Sequence, residues 1–250
     1  MGLLEDYSKQ AQSYDATRAA SPSVLAPLRA ALAGAPGLKL LDVGGGTGNY
    51  AAAFAAARWQ PVVLDRSPAM LERAAAKGLA TLHGDATALP LADASCDAVM
   101  LVSMLHHVED RPRALAEARR VLRASGKLAA MLFTREDIAG DASLDYFPIS
   151  RGWMEQTHPP LRELLDALPG ARRSPIVYED TVDGSMAALM ADPRLLLDPA
   201  RRAQTSFFER MQRDHPDELR AGLQRLESDL RAGRAPRKPG GASMIAWTKR

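Results

Sequence analysis

Residues 38–50 read LKLLDVGGGTGNY, and the reading of this stretch decides the fold. Leu38–Val43 is an apolar run of strand length that delivers Asp42 straight into a glycine turn. Gly44, Gly46 and Gly48 fall at every second position, and Tyr50–Arg58 (YAAAFAAAR) then reads as a helix. Glycine accepts positive φ and lets a backbone approach a ligand with no Cβ in the way. Working outward, the same rhythm repeats. Pro61–Leu64 is a short strand ending in Asp65, and Pro68–Lys77 is a helix with proline in its first turn. Leu79–His83 and Cys96–Val102 are further strands. Arg113–Arg123 is an amphipathic helix that Ser125–Gly126 breaks before a fifth strand, Lys127–Phe133. Strands alternating with helices imply a doubly wound parallel α/β sheet with helices on both faces.

After Thr134 the rhythm changes. Residues 135–175 read as irregular, with one helix at Pro160–Leu168, and Ile176–Asp180 (IVYED) reads as a strand. A helical block follows over Ser185–Leu197 and Pro199–Ala232, with breaks near Pro193 and Pro216, and Ser243–Thr248 (SMIAWT) closes the chain as a strand. The 250 residues are 46% hydrophobic and 25% charged, which excludes a disordered chain, a collagen-like fibre and a disulfide scaffold. With 32 basic against 30 acidic side chains the net charge is +2, a poor balance for coating nucleic acid. No apolar run approaches the roughly 18–20 residues that cross a bilayer. The N-terminus lacks the pattern of a secretory leader, and Cys96 is the only cysteine. These features point to a cytoplasmic protein without a membrane or nucleic-acid partner and without a cysteine-based metal cluster.

The glycine turn could serve a dinucleotide, a mononucleotide or S-adenosylmethionine (SAM). A dinucleotide fingerprint places glycine at the sixth position of G-x-G-x-x-G; counted from Gly44, that position is Asn49. No lysine follows Gly48, so the phosphate-cradling G-x-x-x-x-G-K-[ST] pattern is absent as well. Asp42 is a poor neighbour for phosphate and a sensible one for a ligand carrying an ammonium group. Asp65 ends the second strand at the sheet edge where the ribose hydroxyls of a nucleoside would lie. Gly84–Asp85–Ala86 ends the third strand at the same edge, where Asp85 can accept a hydrogen bond from the exocyclic amine of adenine. Taken singly, either aspartate could be a turn-former or a helix cap.

Four stretches in order carry a resemblance: LDVGGGTG (41–48), VLDRSPAMLERA (63–74), GDATALPLADASCDAVMLVSMLHHVED (84–110) and EARRVLRASGKLAAM (117–131). They resemble the class I SAM-dependent methyltransferases, in particular the small-molecule enzymes of the ubiquinone/menaquinone-biosynthesis type, over about residues 38–134. The resemblance implies a Rossmann-like seven-stranded sheet, mostly parallel, whose last strand inserts antiparallel. It implies SAM as cofactor, S-adenosylhomocysteine as product and a small-molecule acceptor. Gly44, Gly46 and Gly48 would then floor the methionine of SAM, Asp65 would hold its ribose, and Asp85 with the Ala86 amide would clamp its adenine. Ser103 and Met104 would line the sulfonium, and Tyr7, Tyr14 and Arg18 would belong to a leading helix closing over SAM, with Arg18 near its carboxylate. Three residues depart from the family pattern. Arg66 stands where an apolar residue follows the ribose aspartate, so adenine would stack on a guanidinium or on a neighbour instead; Cys96 replaces an aromatic; and Ser125 replaces a glycine, which reads as neutral.

The resemblance divides a single 1–250 domain into N-terminal helices (1–37), a SAM-binding core (38–134), substrate-cap insertions (135–175 and 184–241) and late strands of the sheet (176–183 and 242–250). Phe147, Trp153, Met154, Phe207, Phe208 and Met211 could line an acceptor pocket or form the cap's own core. Methyl transfer from a sulfonium is an in-line displacement, so the protein supplies alignment and dryness, plus a general base only for a protonated acceptor. His106 and His107, just past the fourth strand, are the candidates for that base, with His106 ahead; either could equally serve as a structural residue at the next helix. His158 and His215 lie in the variable region, and no metal-ligand motif stands out. Two other readings compete: a SAM-binding protein that does not transfer methyl (a cyclase, a decarboxylase or a binding module), and a nicotinamide oxidoreductase, which Asn49 disfavours.

Overall fold

The computed structural model describes residues 19–180, 182, 184–234 and 241–250. Its elements run α1 (Pro22–Leu32), β1 (Lys39–Val43), α2 (Asn49–Ala55), β2 (Gln60–Asp65), α3 (Pro68–Ala76), β3 (Ala80–His83) and β4 (Cys96–Val102). A 3-10 turn (Leu105–His107) leads to α4 (Arg111–Val121) and β5 (Leu122–Leu132). Next come α5 (Arg135–Gly140), α6 (Pro148–Thr157), α7 (Leu161–Ala167) and β6 (Arg172–Ile176). The chain then makes α8 (Met186–Leu189), α9 (Pro199–Arg202), α10 (Ser206–Asp214), α11 (Pro216–Arg231) and β7 (Ala242–Thr248).

The seven strands form one sheet in the order β3-β2-β1-β4-β5-β7-β6. β1 to β5 pair in parallel, and β7 is antiparallel to both of its neighbours, β5 and β6. This is the doubly wound sheet with a reversed strand that the sequence implies. Strand alternation feeds two apolar layers. Leu41, Val43, Val99 and Leu101 face α4 and α7, while Leu40, Ala98 and Met100 face α1, α2 and α3. Both faces are covered, so the central strands are buried nearly end to end.

Three details after Thr134 differ from the sequence reading. The sixth strand lies at 172–176 and shares only Ile176 with the expected 176–180. The run IVYED alternates because Ile176 and Tyr178 bury on the α1 face; the alternation marks burial and not pairing. β6 is an edge strand, which is why four exposed positions and Pro175 are tolerated in it. Second, 135–175 is helical over α5 and α6, and α5 opens on a capping box in which Thr134 and Asp137 satisfy each other's backbone N–H groups. Third, α7 belongs to the sheet's own helix layer, since Leu164 and Leu168 pack with Leu115 and Ala118 of α4. Of the expected N-terminal helices, α1 lies against the sheet, while Tyr7, Tyr14 and Arg18 fall outside the described residues.

The cap has a core of its own. Phe147, Phe207, Phe208 and Met211 bury together with Ile138, Leu144, Leu196, Leu219 and Leu226. The three phenylalanine rings meet edge to face at 4.9–5.9 Å. Trp153 and Met154 pack only partly buried against this cluster.

Candidate functional site

The site is built on the ends of β1, β2, β3 and β4 at the carboxyl edge of the sheet, where open α/β sheets bind ligands. Gly44, Gly46 and Gly48 all have positive φ, at 66°, 56° and 76°. They serve three different ends. A Cβ on Gly44 would stand 2.9 Å from the Cβ of Met104, so this glycine lets β4's continuation press on the loop. A Cβ on Gly48 would collide with Leu79, so this one lets α2 sit against the sheet. A Cβ on Gly46 would have only the sulfur of Met70 within contact, at 4.0 Å, so the open side of the loop lies here.

Gly45, which the sequence reading passed over, is needed as well. Its Cβ would run into the Asp42 carboxyl, and the GGG run itself was the available signal. Lys77, with no signal in the sequence, donates to the Thr47 carbonyl (2.8 Å) and to Asn49 Oδ1 (2.5 Å), pinning the loop where it becomes α2.

Asp65 ties two backbone segments together. Its Oδ2 accepts from the Gly46 N–H at 3.0 Å and its Oδ1 from the Ser67 N–H at 2.9 Å. Each oxygen keeps acceptor capacity for a further donor. Asp42 is 2% exposed, and burial together with the nearby charge of Asp65 pushes its carboxyl up to about 8. At neutral pH it is therefore largely protonated until a cation arrives beside it. Asp85 accepts both the hydroxyl (2.6 Å) and the N–H (2.7 Å) of Thr87 on one oxygen, and these bonds hold its carboxyl below the ordinary range. Ala86 is buried next to it, and Arg66 is exposed with its charge acting on Asp85 and on His107.

β4 ends in a twist. Ser103 has φ 52°, its N–H donates to the Met131 carbonyl at 2.8 Å and its hydroxyl to the Met131 sulfur at 3.2 Å. This turns the chain so that Met104 folds back over Gly44, and the 3-10 turn carries His107 toward Asp65 and Arg66 and His106 toward His158 of the cap. Their rings lie 3.8 Å apart. Burial, aided by His107, His158 and Arg111, holds His106 well below the usual imidazole range. Burial and Arg66 bring His107 to about 4 despite the opposing pull of Asp65. Both are neutral at physiological pH. Cys96 is buried, and its thiol is pushed up by that burial, in keeping with a small core side chain.

The structure thus brings Asp42, the glycine loop, Asp65, Arg66, Met104 and His107 together, with Asp85 and Ala86 at the end of the neighbouring strand. Among the described residues no group of three His, Cys, Asp or Glu side chains is arranged to hold a metal ion, and no helix is long and apolar enough to cross a membrane.

The donor set fits SAM. Glycines at positive φ leave the loop open at Gly46, the buried Asp42 carboxyl lies against Gly45, and each oxygen of Asp65 keeps acceptor capacity that a ribose hydroxyl could use. Comparison with known proteins agrees. Residues 41–130 match the family described as a methyltransferase domain. The chain is 38% identical over 113 residues to the ubiquinone/menaquinone biosynthesis C-methyltransferase UbiE of Acidiphilium cryptum, covering 42% of this chain and 45% of that protein. It is 39% identical over 102 residues to a malonyl-[acyl-carrier protein] O-methyltransferase of Xylella fastidiosa, covering 38% of this chain and 34% of that one. The match therefore spans less than half the length of these curated relatives. In fold the chain is similar to a putative methyltransferase from an antibiotic biosynthesis pathway of Anabaena variabilis, with a TM-score of 0.77 at 23% identity over 93% of this chain and 99% of that one.

Proposed function

We propose, for a chain whose residues 41–130 are a class I SAM-dependent methyltransferase domain, an enzyme that moves a methyl group from SAM to an oxygen or an activated carbon of a small molecule. SAM, when bound, supplies a methyl already activated on a sulfonium. The chain's own residues do the rest. The glycine loop admits the ligand's backbone-sized approach, Asp65 holds the ribose hydroxyls, and Asp85 with Ala86 sets the adenine. Asp42 gives up its proton to face the positive charge. Met104 and the cap exclude water from the methyl, which keeps the displacement in line and dry.

His106 is the base in this reading. It is neutral at working pH and lies on the turn that Met104 caps. A neutral imidazole can take the proton of an acceptor as that acceptor's nucleophilic atom bonds to the methyl. The two curated relatives are named as a C- and an O-methyltransferase, and that supports carbon and oxygen acceptors in this reading. The observation that carries the proposal is the glycine loop joined to Asp65 by the Gly46 N–H bond, over a buried and uncharged Asp42.

Calorimetry of the purified chain with SAM tests it. Binding is expected, with net proton release near pH 7 because Asp42 ionises as the cation arrives. The release appears as a dependence of the measured heat on the buffer's ionisation enthalpy. S-adenosylhomocysteine should then accumulate with some member of a panel of phenols and 1,3-dicarbonyl compounds. Absence of SAM binding would remove the proposal. Binding without turnover across the panel would move the chain to the reading in which SAM is held and not used.

A further inference from the structure

His158, which the sequence leaves among the weak candidates of the variable region, closes α6 of the cap and is 8% exposed. Its ring lies face to face with that of His106, centroids 4.9 Å apart and planes 9° from parallel. Its Nδ1 sits 2.8 Å from the Met154 carbonyl and 3.0 Å from the Thr157 hydroxyl. A carbonyl only accepts, so Nδ1 carries the proton and the lone pair belongs to Nε2. The backbone around it is held too. Arg135 Nε donates to the His158 carbonyl and the Arg135 N–H to the Pro159 carbonyl, both at 3.0 Å. Residues 158–159 are thereby tied to α5, whose capping residue Asp137 accepts from Ser243 of β7 and Arg173 of β6. The ring's position is fixed by the sheet through two steps.

Among the described residues no hydrogen bond is found for either ring nitrogen of His106, and its ring packs on His107 of its own turn and on His158 of the cap. We propose that His158 is the positioning residue for His106: the cap lays a flat ring on it, fixing its plane on the turn after β4 and keeping water from that face. The proposal rests on the reading of His106 as base for its meaning in catalysis, while the contact itself can be measured without turnover.

The charged and titratable groups around the pair are His107 on the same turn, Arg111 at the start of α4 and Asp137 toward His158. Arg111 is itself paired with Glu163 of α7 at 2.7 Å. Burial leads these in keeping both rings uncharged, with His158 held to about 4. A parallel stack of this kind persists only while its members are not both cationic.

The test is a histidine-labelled NMR titration of the full chain with S-adenosylhomocysteine as probe, comparing wild type, His158→Ala and His158→Phe. Wild type should show His158 as the Nδ1–H tautomer and His106 titrating below its ordinary 6.5. His158→Ala opens one face of His106 to water and should raise its midpoint by about one pH unit. His158→Phe keeps a flat apolar cover and should hold the midpoint near wild type, which guards against a loss of fold in the alanine variant. An unmoved His106 midpoint in His158→Ala, or an Nε2–H tautomer in wild type, overturns the proposal. Failure of the base reading shows elsewhere, as undiminished methyl transfer by His106→Ala with whichever acceptor the panel yields.

Discussion

The glycine-loop core and the cap solve the same problem, holding side chains in place, by opposite means. In the core the backbone does it: strand ends, three positive-φ glycines and N–H groups aimed at Asp65. In the cap side chains do it, from elements far apart in the chain. Phe147 meets Phe207 and Phe208, Tyr146 donates to Asp229, and Asp137 gathers Thr134, Arg173 and Ser243. A backbone device is written in a few consecutive residues and survives wide change around it. A side-chain device is written across the chain and varies with what it holds. The two curated relatives match this chain over 38–42% of its length and the matched family domain ends at residue 130, just before the cap begins.

The comparison breaks most visibly at Asp137. Its Oδ2 accepts from the Thr134 N–H, the Thr134 hydroxyl and Ser243, and its Oδ1 from Arg173. Asp137→Asn turns an N–H₂ toward donors and is expected to cost about 3 kcal/mol of stability, because the buried Thr134 and Ser243 donors lose their acceptor. Thermal unfolding reads the loss. SAM affinity of the folded variant should stay unchanged, and a parallel loss of affinity would mean that core and cap are not separable.

Asp65→Ala is the mirror case. It strips an acceptor from two backbone N–H groups and from the ribose, and calorimetry should find SAM weakened by about 2 kcal/mol, roughly 30-fold. Melting should change less than in Asp137→Asn. If affinity is untouched, the ribose assignment is wrong.

The smallest effect is expected at Ser125, which enters β5 with φ 63° where a side chain is strained. Ser125→Gly relieves the strain and should raise stability by about 1 kcal/mol or less, since glycine's extra freedom in the unfolded chain offsets part of the gain. The neutral reading of this position from sequence is thus replaced by a mildly unfavourable one, measurable by denaturant unfolding with SAM binding unaltered.

What was legible follows the same line. β1 to β5, the glycine loop, Asp65 and Asp85 could all be placed because each is a local pattern with a local cause: an apolar run, a turn requirement, a carboxylate at a strand end. β6 was misplaced by four residues because an edge strand pairs on one side only and its sequence, RRSPI, owes its register to Ser243 and Asp137 rather than to alternation. α5 was signalled by the Thr134–Asp137 capping box, which an irregular-looking context concealed. His158 could not be singled out, because its importance lies in facing a ring fifty-two positions earlier (158 − 106), and nothing in either local sequence encodes that meeting.

The reversed strand has a consequence for the order in which the molecule is made. β7 fits between β5 and β6, so the outer edge of β5 has no partner until residues 242–248 have been synthesised. Through the whole production of the cap, a long apolar strand stands with unsatisfied N–H and C=O groups, the state most prone to pairing with a neighbouring chain. The cap helices arise in that interval and have a core of their own to collapse into. β6 pairs with β7 alone, so the edge strand joins the sheet only when β7 does.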